Sequence, residues 1–571
     1  MQKILTYLKP YYSKMTFGLI IKFIGTIMDL LLPWILAYSI DEIVPKENVN
    51  MVLFWGVVMV ACAITALVTN VIANRMASRV ARDTTESIRH DLFWKISHLS
   101  SSQVDDLTIP SLEARLTTDT YNIQQLIGMM QRLGIRSPIL LIGGICVTIM
   151  LDFNLSLVLI CLLPFTGVLI YIISKNGIPL YTNLQNSVDS MIRNVREDIS
   201  GVKVIKALSK TDYEKSRFSA VNSDVVSKEK KAGIFMSVTN PMMSLFLNIG
   251  LTLVILVGAY RVDAGLTQPG KIIAFLTYFT IILNAMLMIT RLFVVYSKGI
   301  ASAKRIQEVL DAPDILRLKP SNSNNNQYHI SFDKVCFSYH KGKTNLENCS
   351  FNIERGETLG IIGSTGSGKS TLINLLMRLY DVESGKILIS GKDIRSIPFS
   401  QLHSKFGAVL QNDILFADTI ESNIDFGRNL NPEQIEAAAK FAQATEFIDS
   451  LPEGYMHMLS QKSTNLSGGQ KQRIMIARAL ASNPEILVLD DSSSALDYKT
   501  DAMLRKALKE NFAETTTIII AQRISSIINA DNILVMEDGK ISGLGKHSEL
   551  LASCETYRQI YMSQTGGGKI A

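Results

Sequence analysis

The chain has 571 residues, which is too long for a single hydrophobic core, so at least two domains are expected. Hydrophobic residues make up 47% of it, but the long apolar runs end near residue 296, and the part after Pro320 has the composition of a soluble α/β protein. The net charge is +6. In the first half of the chain, the basic residues lie mainly in the long connections between apolar segments, as in a membrane protein, which argues against a nucleic-acid partner.

Six apolar segments lie in the first half of the chain. Each is near the ~20 residues that an α-helix needs to cross the hydrocarbon core of a membrane. They occupy residues 16–40, 52–73, 127–151, 155–173, 242–260 and 272–296. This pattern predicts an all-α transmembrane domain of six helices.

The connections between these helices alternate between short and long. The long ones, residues 74–126 and 174–241, contain seventeen lysines and arginines, whereas the three short ones together contain three. Because cytoplasmic loops carry the excess of basic residues, the long connections and both termini are predicted to be cytosolic. The basic start leads into a full-length apolar helix, so no cleavable signal peptide is expected. We interpret the six cysteines as structural thiols.

The long connections contain few helix breakers. Their apolar residues recur at spacings of three and four, as in Val195, Ile199, Val202 and Ile205. We therefore predict membrane helices that continue into the cytosol by about 25 residues, or roughly 35–40 Å.

The second half contains a P-loop pattern between an apolar strand and a helix start, which is the setting that such a loop requires. Its glycines allow backbone N–H groups to face phosphates, and the helix N-terminus adds a favourable partial charge. Lys369 is expected to reach the β- and γ-phosphates of ATP, and Ser370 is expected to ligate Mg²⁺. The predicted nucleotide-binding residues of the loop are Gly363, Ser364, Thr365, Gly366, Ser367, Gly368, Lys369, Ser370 and Thr371.

Two further motifs follow the P-loop. The first is Leu466-Ser467-Gly468-Gly469-Gln470, and the second is an apolar strand at 486–489 that delivers Asp490 and Asp491. In this order, the three motifs resemble the nucleotide-binding domain of ATP-binding cassette (ABC) transporters. The six-helix layout before them resembles ABC exporter half-transporters. The resemblance implies that ATP and Mg²⁺ are bound.

The predicted domain organisation has four parts. A transmembrane domain with long cytosolic helical extensions occupies residues 1–312, and a linker occupies 313–327. An α/β P-loop nucleotide-binding domain occupies 328–565, and a flexible tail occupies 566–571.

The resemblance assigns roles to several further residues. Tyr339 would stack on adenine, Gln411 would contact Mg²⁺ or the attacking water, and Asp490 would hold Mg²⁺ through water. On the sequence alone, Tyr339 as an edge-strand core residue and Gln411 as a surface loop residue remain open alternatives. The residues that would act on ATP held by an opposing subunit are Ser467, Gly468, Gly469 and Gln470 of the signature motif, and Asp497 of the D-loop at 494–497.

Two catalytic positions depart from the family's pattern. Asp491 stands where the family has a Glu that polarises the attacking water, and Gln522 stands where it has a switch His. Asp is one methylene shorter, although a base must lie within hydrogen-bond reach of its water. A neutral amide cannot become cationic. We therefore predict a degenerate site that binds ATP better than it hydrolyses it.

Two segments of the cytosolic extensions resemble the coupling helices of ABC exporters, one around residues 108–116 and the other at 200–207. A solvated helical turn is the alternative for each. A third departure affects the region that these helices contact in the family, because Ser-Gln-Lys-Ser at 460–463 replaces the usual Gly-Glu-Arg-Gly.

Several charged residues lie in or near the predicted spans. Asp29 is in the middle of the first span and is a candidate for the cargo cavity, with a structural pairing role as the alternative. Lys22, Arg132 and Arg291 are expected to extend their charged groups to the cytosolic interface.

The predicted function is that of one subunit of a heterodimeric ATP-driven exporter in a prokaryotic cell membrane. Its cargo would be hydrophobic or amphipathic compounds, such as drugs, lipids or peptides. The partner would be a second half-transporter with the intact catalytic Glu and switch His. Two alternatives remain: a homodimeric exporter with slow Asp-based sites, and an ATP-gated regulatory membrane protein.

Overall fold

A computed structural model describes residues 2–313, 316–320, 328–339, 344–411, 414–460, 463–492 and 495–565. Its contacts divide the chain into two units. The first unit comprises Met1–His98 and Ile109–Ala312, and the second comprises Leu99–Thr108 and Pro313–Ala571. The predicted tail at 566–571 and most of the predicted linker at 313–327 lie outside the described residues.

The first unit is entirely helical. Among the described residues, six helical stretches are long and apolar enough to cross a membrane, and each contains one of the predicted spans. The predicted six-helix fold is therefore confirmed. The helices, of which only α4 belongs to the second unit, are α1 Gln2–Leu8, α2 Tyr12–Tyr38, α3 Val49–Ser97, α4 Ser101–Leu107, α5 Ile109–Ala114, α6 Thr120–Leu151, α7 Phe153–Ser200, α8 Val202–Ala207, α9 Thr211–Ser237, α10 Thr239–Asp263 and α11 Pro269–Leu310.

Side-chain caps mark the ends of the membrane helices opposite the long extensions. Asn48 accepts a hydrogen bond from the Met51 amide at the start of α3. Asp152 accepts from two backbone amides at the start of α7, at 3.0 and 3.1 Å, and Arg261 lies 3.3 Å from its other oxygen. These caps satisfy N–H groups that the first helical turn leaves without partners. The uninterrupted runs of α3 and α7 confirm the predicted extensions beyond the spans.

Close packing between the helices depends on glycine. A Cβ at Gly143 would come within 2.7 Å of Leu30, and one at Gly144 within 2.8 Å of Ile282. Small residues let helix backbones approach closely inside a membrane, where apolar burial alone gives little drive for association. The apolar cluster around these positions includes Leu30, Leu140 and Tyr278.

The second unit contains two sheets. The larger has the strand order β10-β9-β3-β8-β7-β6 and is parallel except for the β9–β10 pair. The smaller is antiparallel, with the order β2-β1-β4-β5. The strands are β1 Ile330–Phe337, β2 Leu346–Ile353, β3 Thr358–Gly363, β4 Ser384–Ile389, β5 Lys392–Asp393, β6 Phe406–Val409, β7 Ile486–Asp490, β8 Thr516–Ile520, β9 Asn532–Glu537 and β10 Lys540–Gly545.

Helices cover the larger sheet, as expected for a mostly parallel sheet whose strands are apolar throughout. Strand β7 shows this most clearly, because all five of its residues are buried. The predicted α/β class is confirmed. The helices are α12 Lys369–Leu376, α13 Phe399–His403, α14 Ile420–Asp425, α15 Pro432–Phe441, α16 Thr445–Asp449, α17 Gly468–Leu480, α18 Tyr498–Asn511, α19 His547–Ser553 and α20 Glu555–Thr565.

Helix α4 joins the second unit although it follows a membrane helix in the chain. A capping box between Ser100 and Gln103 starts it, and the Gln103 amide donates to the Pro313 carbonyl at 2.8 Å. The Tyr380 hydroxyl donates to the Asp105 carboxylate at 2.6 Å. The first expected coupling segment, at 108–116, follows α4 directly and contains the short helix α5, and its coupling role stays a prediction. The second expected segment does contain a short helix, α8.

The close packing of the membrane helices at glycine residues can be tested at Gly270, near the start of α11. A Cβ at Gly270 would lie 2.6 Å from the Ala37 carbonyl oxygen and 2.7 Å from the Asp41 carboxylate. We expect Gly270→Ala to destabilise the detergent-solubilised protein by about 1–3 kcal/mol, because a backbone atom cannot move aside easily. A thermal unfolding series would measure this change.

The matched control is Gly167→Ala in α7, where an added Cβ meets nothing within 4 Å. This variant should unfold at the same temperature as the parent protein or higher, since Ala is the better helix former by about 1 kcal/mol. Equal losses of stability in both variants would contradict the packing argument.

Candidate nucleotide-binding site

The P-loop connects the end of β3 to the start of α12. Gly366 and Gly368 adopt positive φ values of 84° and 101°, which other residues reach only with strain. The Lys369 ammonium donates to the carbonyl oxygens of Gly363 and Ser364, at 2.9 and 2.7 Å. The loop therefore curls around this cation at the helix N-terminus, which is a favourable position for an anion.

A cavity of about 230 Å³ lies in front of the loop. Most of its lining comes from residues that the sequence predicted to bind nucleotide. The lining consists of Asn345, Thr365, Gly366, Gly368, Lys369, Ser370, Thr371, Gln411, Asp490, Asp491, Ile520 and Gln522.

Asp490 ends β7 and contacts the P-loop helix. Its carboxylate accepts a hydrogen bond from the Ser370 hydroxyl at 2.8 Å, and only 5% of the residue is exposed. Burial raises the pKa of Asp490 above its ordinary value, and burial lowers the pKa of Lys369. A carboxylate beside a hydroxyl supplies the hard oxygen ligands that Mg²⁺ prefers, so this pair fits the ion.

Asp491 and Gln522 are in direct contact. The backbone of Asp491 turns into the left-handed region, with φ 53°, directly after β7. The Gln522 amide nitrogen donates to the Asp491 carboxylate at 3.0 Å. Burial raises the pKa of Asp491, while the nearby positive charge of Arg523 acts in the opposite direction. The two catalytic positions that the sequence analysis singled out as substituted therefore form one hydrogen-bonded pair.

Gln411 and Tyr339 have different surroundings. Gln411 follows β6 and lines the cavity. The Tyr339 ring instead packs edge-on against Tyr380, with ring centres 5.1 Å apart, and its hydroxyl accepts from the Asn374 amide at 3.2 Å. The structure thus places Tyr339 beside the P-loop helix as a partly buried residue of the apolar cluster.

The signature motif and the D-loop lie at helix starts. Ser467 caps α17 through a capping box with Gln470, and Asp497 caps α18 by accepting from the Thr500 amide at 2.9 Å. That hydrogen bond lowers the pKa of Asp497. Neither motif belongs to the cavity lining among the described residues. Residues 461, 462 and 494, which the sequence analysis included in these regions, lie outside the described part of the chain.

The sequence analysis missed three residues near the cavity. Asn345 and Ile520 line it, and the Asn345 side chain accepts from the Tyr339 amide at 3.1 Å. Gln472 on α17 accepts from the Ala495 amide at 3.2 Å and donates to the Asp491 carbonyl at 3.5 Å. Gln472 lies two residues after the signature motif, and this position is the sequence feature that could have indicated it.

Charged side chains inside the first unit have polar or charged partners on neighbouring helices. Arg136 lies 3.0 Å from the Asp29 carboxylate, so Asp29 is ion-paired between α2 and α6. Lys22 is only 2% exposed and donates to Asn74 at 3.0 Å. The expectation that Lys22 extends to the interface is therefore wrong, because a polar side chain of α3 holds its ammonium within the bundle.

The two halves of the chain match two family descriptions. Residues 15–286 match "ABC transporter transmembrane region", and residues 346–494 match "ABC transporter". The chain is 36% identical to the uncharacterized ABC transporter ATP-binding protein YfiB of Bacillus subtilis, over 99% of each protein. It is 32% identical to an uncharacterized ABC transporter ATP-binding protein of Mycobacterium tuberculosis, over 98% of this chain and 97% of that one.

A solved structure shares the fold. It is described as a bacterial Atm1-family ABC exporter with ATP bound, and it aligns with a TM-score of 0.82 at 24% identity. The alignment covers 97% of this chain and 99% of that one.

The raised pKa of Asp490 predicts a stability effect. A raised carboxylate pKa means that ionisation destabilises the fold, so stability falls as pH rises through that pKa. In EDTA and without nucleotide, we expect Asp490→Asn to raise the unfolding temperature at pH 7.5 by about 2–4 °C, equivalent to about 1 kcal/mol. The gain should shrink as the pH is lowered, because the native carboxyl then becomes protonated and no longer carries the unfavourable charge.

The control is Asp538→Asn at an exposed turn, which should leave the unfolding temperature unchanged. Adding Mg²⁺ and ATP should stabilise the parent protein and this control, but it should stabilise Asp490→Asn much less. If Asp490→Asn unfolded at a lower temperature than the parent at pH 7.5 without nucleotide, the conclusion that the buried Asp490 carboxylate destabilises the fold would be contradicted.

Proposed function

Because this chain belongs to the ABC transporter family, we propose that it is one subunit of a heterodimeric ATP-driven exporter. Its second unit is an ABC ATPase domain, and its first unit carries the membrane helices. In the proposed complex, the P-loop of this chain holds ATP at a weakly hydrolytic site, and the signature motif of this chain completes the catalytic site of the partner.

The hydrogen bond between Gln522 and Asp491 carries the proposal for a weak site. Hydrolysis requires a base within hydrogen-bond reach of the attacking water. Asp491 is one methylene shorter than the Glu of the family, and its carboxylate already accepts from the Gln522 amide at 3.0 Å. A misplacement of about 1 Å can slow a reaction by on the order of 10²-fold. The pair therefore favours slow turnover.

The groups that bind nucleotide are retained in the same cavity. Lys369 would contact the β- and γ-phosphates, and Ser370 and Asp490 would hold Mg²⁺, with Gln411 beside them. When bound, Mg²⁺ neutralises charge on the phosphate oxygens. Release of Lys369 from the Gly363 and Ser364 carbonyls would free its ammonium for that contact. With these binding groups retained and Asp491 paired with Gln522, the site would bind ATP and hydrolyse it slowly.

The intact signature motif supports a role across the subunit interface. Ser467 and the two glycines form the N-terminus of α17, where polar donors and the helix dipole favour an anion. In the family these groups act on ATP bound by the opposing subunit. We propose that the partner is a second half-transporter that has the catalytic Glu and the switch His, which would give the complex one efficient site.

The cargo is proposed to be a hydrophobic or amphipathic compound, such as a drug, lipid or peptide, taken from the cytosol or the inner leaflet. The six apolar helices support this class, because a cavity lined by them would present mostly apolar surface to a cargo. The basic long connections support a topology with both termini in the cytosol. The bacterial relatives support a prokaryotic cell membrane as the location.

Restoring the family's residues tests the weak site. In a complex with the co-purified partner half-transporter, whose catalytic Glu is replaced by Gln, the remaining turnover comes from the site of this chain. We expect Asp491→Glu combined with Gln522→His to raise that turnover about 10-fold or more, measured as phosphate release in proteoliposomes. Unchanged turnover would overturn the degenerate-site proposal.

The single substitutions are the matched controls for that test. Because the two side chains touch, their effects should be coupled, and the double variant should exceed the product of the single fold-changes. The unsubstituted complex should hydrolyse ATP faster than this chain alone. Equal rates would favour the homodimer, and no turnover in either sample would favour the ATP-gated regulatory protein.

A further inference from the structure

Helix α20 approaches the segment that carries Gln522. Tyr557 of this helix is fully buried, and Ile560 and Tyr561 pack on the same apolar cluster, which includes Ala521 and Ile524. The residues on both sides of the Gln522–Arg523 pair are thus anchored to the core that holds α20. This arrangement fixes the distance between the last turn of α20 and the catalytic edge of the sheet.

Gln564 in that last turn makes two hydrogen bonds to the segment. Its side-chain nitrogen donates to the Gln522 carbonyl at 2.7 Å, and its side-chain oxygen accepts from the Ile524 amide at 2.8 Å. Ile524 begins a short 3₁₀ turn at 524–526, and the residue before that turn makes no side-chain cap. The Gln564 amide therefore supplies an acceptor for an N–H that a helix start leaves without an intrahelical partner.

The contacts form a continuous chain from Gln564 to the carboxylate. Gln564 holds the backbone of Gln522, and the Gln522 side chain donates to Asp491. All three residues also line one cavity of about 640 Å³. A shift of the Gln522 backbone would therefore move its amide relative to Asp491.

We infer that Gln564 is a positioning residue for ATP hydrolysis at the site of this chain, and that it acts through Gln522. The inference rests on the proposed function, because it assigns hydrolysis to Asp491. Gln564 does not contact the P-loop cavity, so it sets the rate of the chemical step and leaves nucleotide affinity unchanged.

The kinetic test uses the complex in which the partner's catalytic Glu is Gln. We expect Gln564→Ala to lower kcat about 3–10-fold with an unchanged KM for ATP. The control is Gln559→Ala, which removes an amide from the same helix. The Gln559 amide donates to the Glu555 carboxylate at 3.1 Å, within α20, so both constants should stay unchanged. In a Gln522→Ala background, Gln564→Ala should have no further effect.

A structural readout separates this inference from the proposed function. Hydrogen exchange at the Ile524 amide should accelerate at least 10-fold in Gln564→Ala and stay unchanged in Gln559→Ala, whether or not the site turns over. Unchanged exchange at Ile524, or an equal loss of kcat in the Gln522→Ala background, would overturn the inference. A complex without ATPase activity, but with the faster exchange, would contradict the proposed function while supporting the placement of Gln564.

Discussion

The parallel pairing of β3, β8 and β7 is the constraint on which the nucleotide site depends. Parallel strands deliver their carboxyl ends to one edge of a sheet, and this edge is where such folds bind ligands. The register pairs Asp490 with Ile520 and Gly360 with Ile519. The P-loop after β3, the acidic pair at the end of β7 and Gln522 after β8 therefore meet. A slip of β7 by one residue would turn Asp490 away from Ser370.

This edge holds charge that the fold alone does not favour. Burial raises the pKa of Asp490 and lowers that of Lys369, so burial disfavours the charged form of each group. A bound phosphate would add negative charge beside Lys369, and a divalent cation would add positive charge beside Asp490, so each ligand would favour the charged form of its neighbour. At the same edge, the Asp491 carboxylate accepts a hydrogen bond from the Gln522 amide, which is a neutral donor.

Some of these features could be predicted from the sequence because they are local. The six spans follow from the length of apolar runs, and the P-loop follows from nine consecutive residues in a strand–loop–helix setting. The docking of α4 depends on Tyr380, which lies 275 residues from Asp105 in the chain, and no local pattern encodes it. The burial of Lys22 depends in the same way on Asn74 of another helix. The sequence analysis identified Asp491 and Gln522 as separate departures, whereas their hydrogen bond is a tertiary contact.

The most direct measurement is the chemical state of the nucleotide held by each subunit. The complex would be loaded with Mg²⁺ and radiolabelled 8-azido-ATP, washed and photolysed, and the two chains would then be separated. A weakly hydrolytic site predicts mostly triphosphate on this chain and mostly diphosphate on its partner. Equal fractions of diphosphate on both chains would contradict the account.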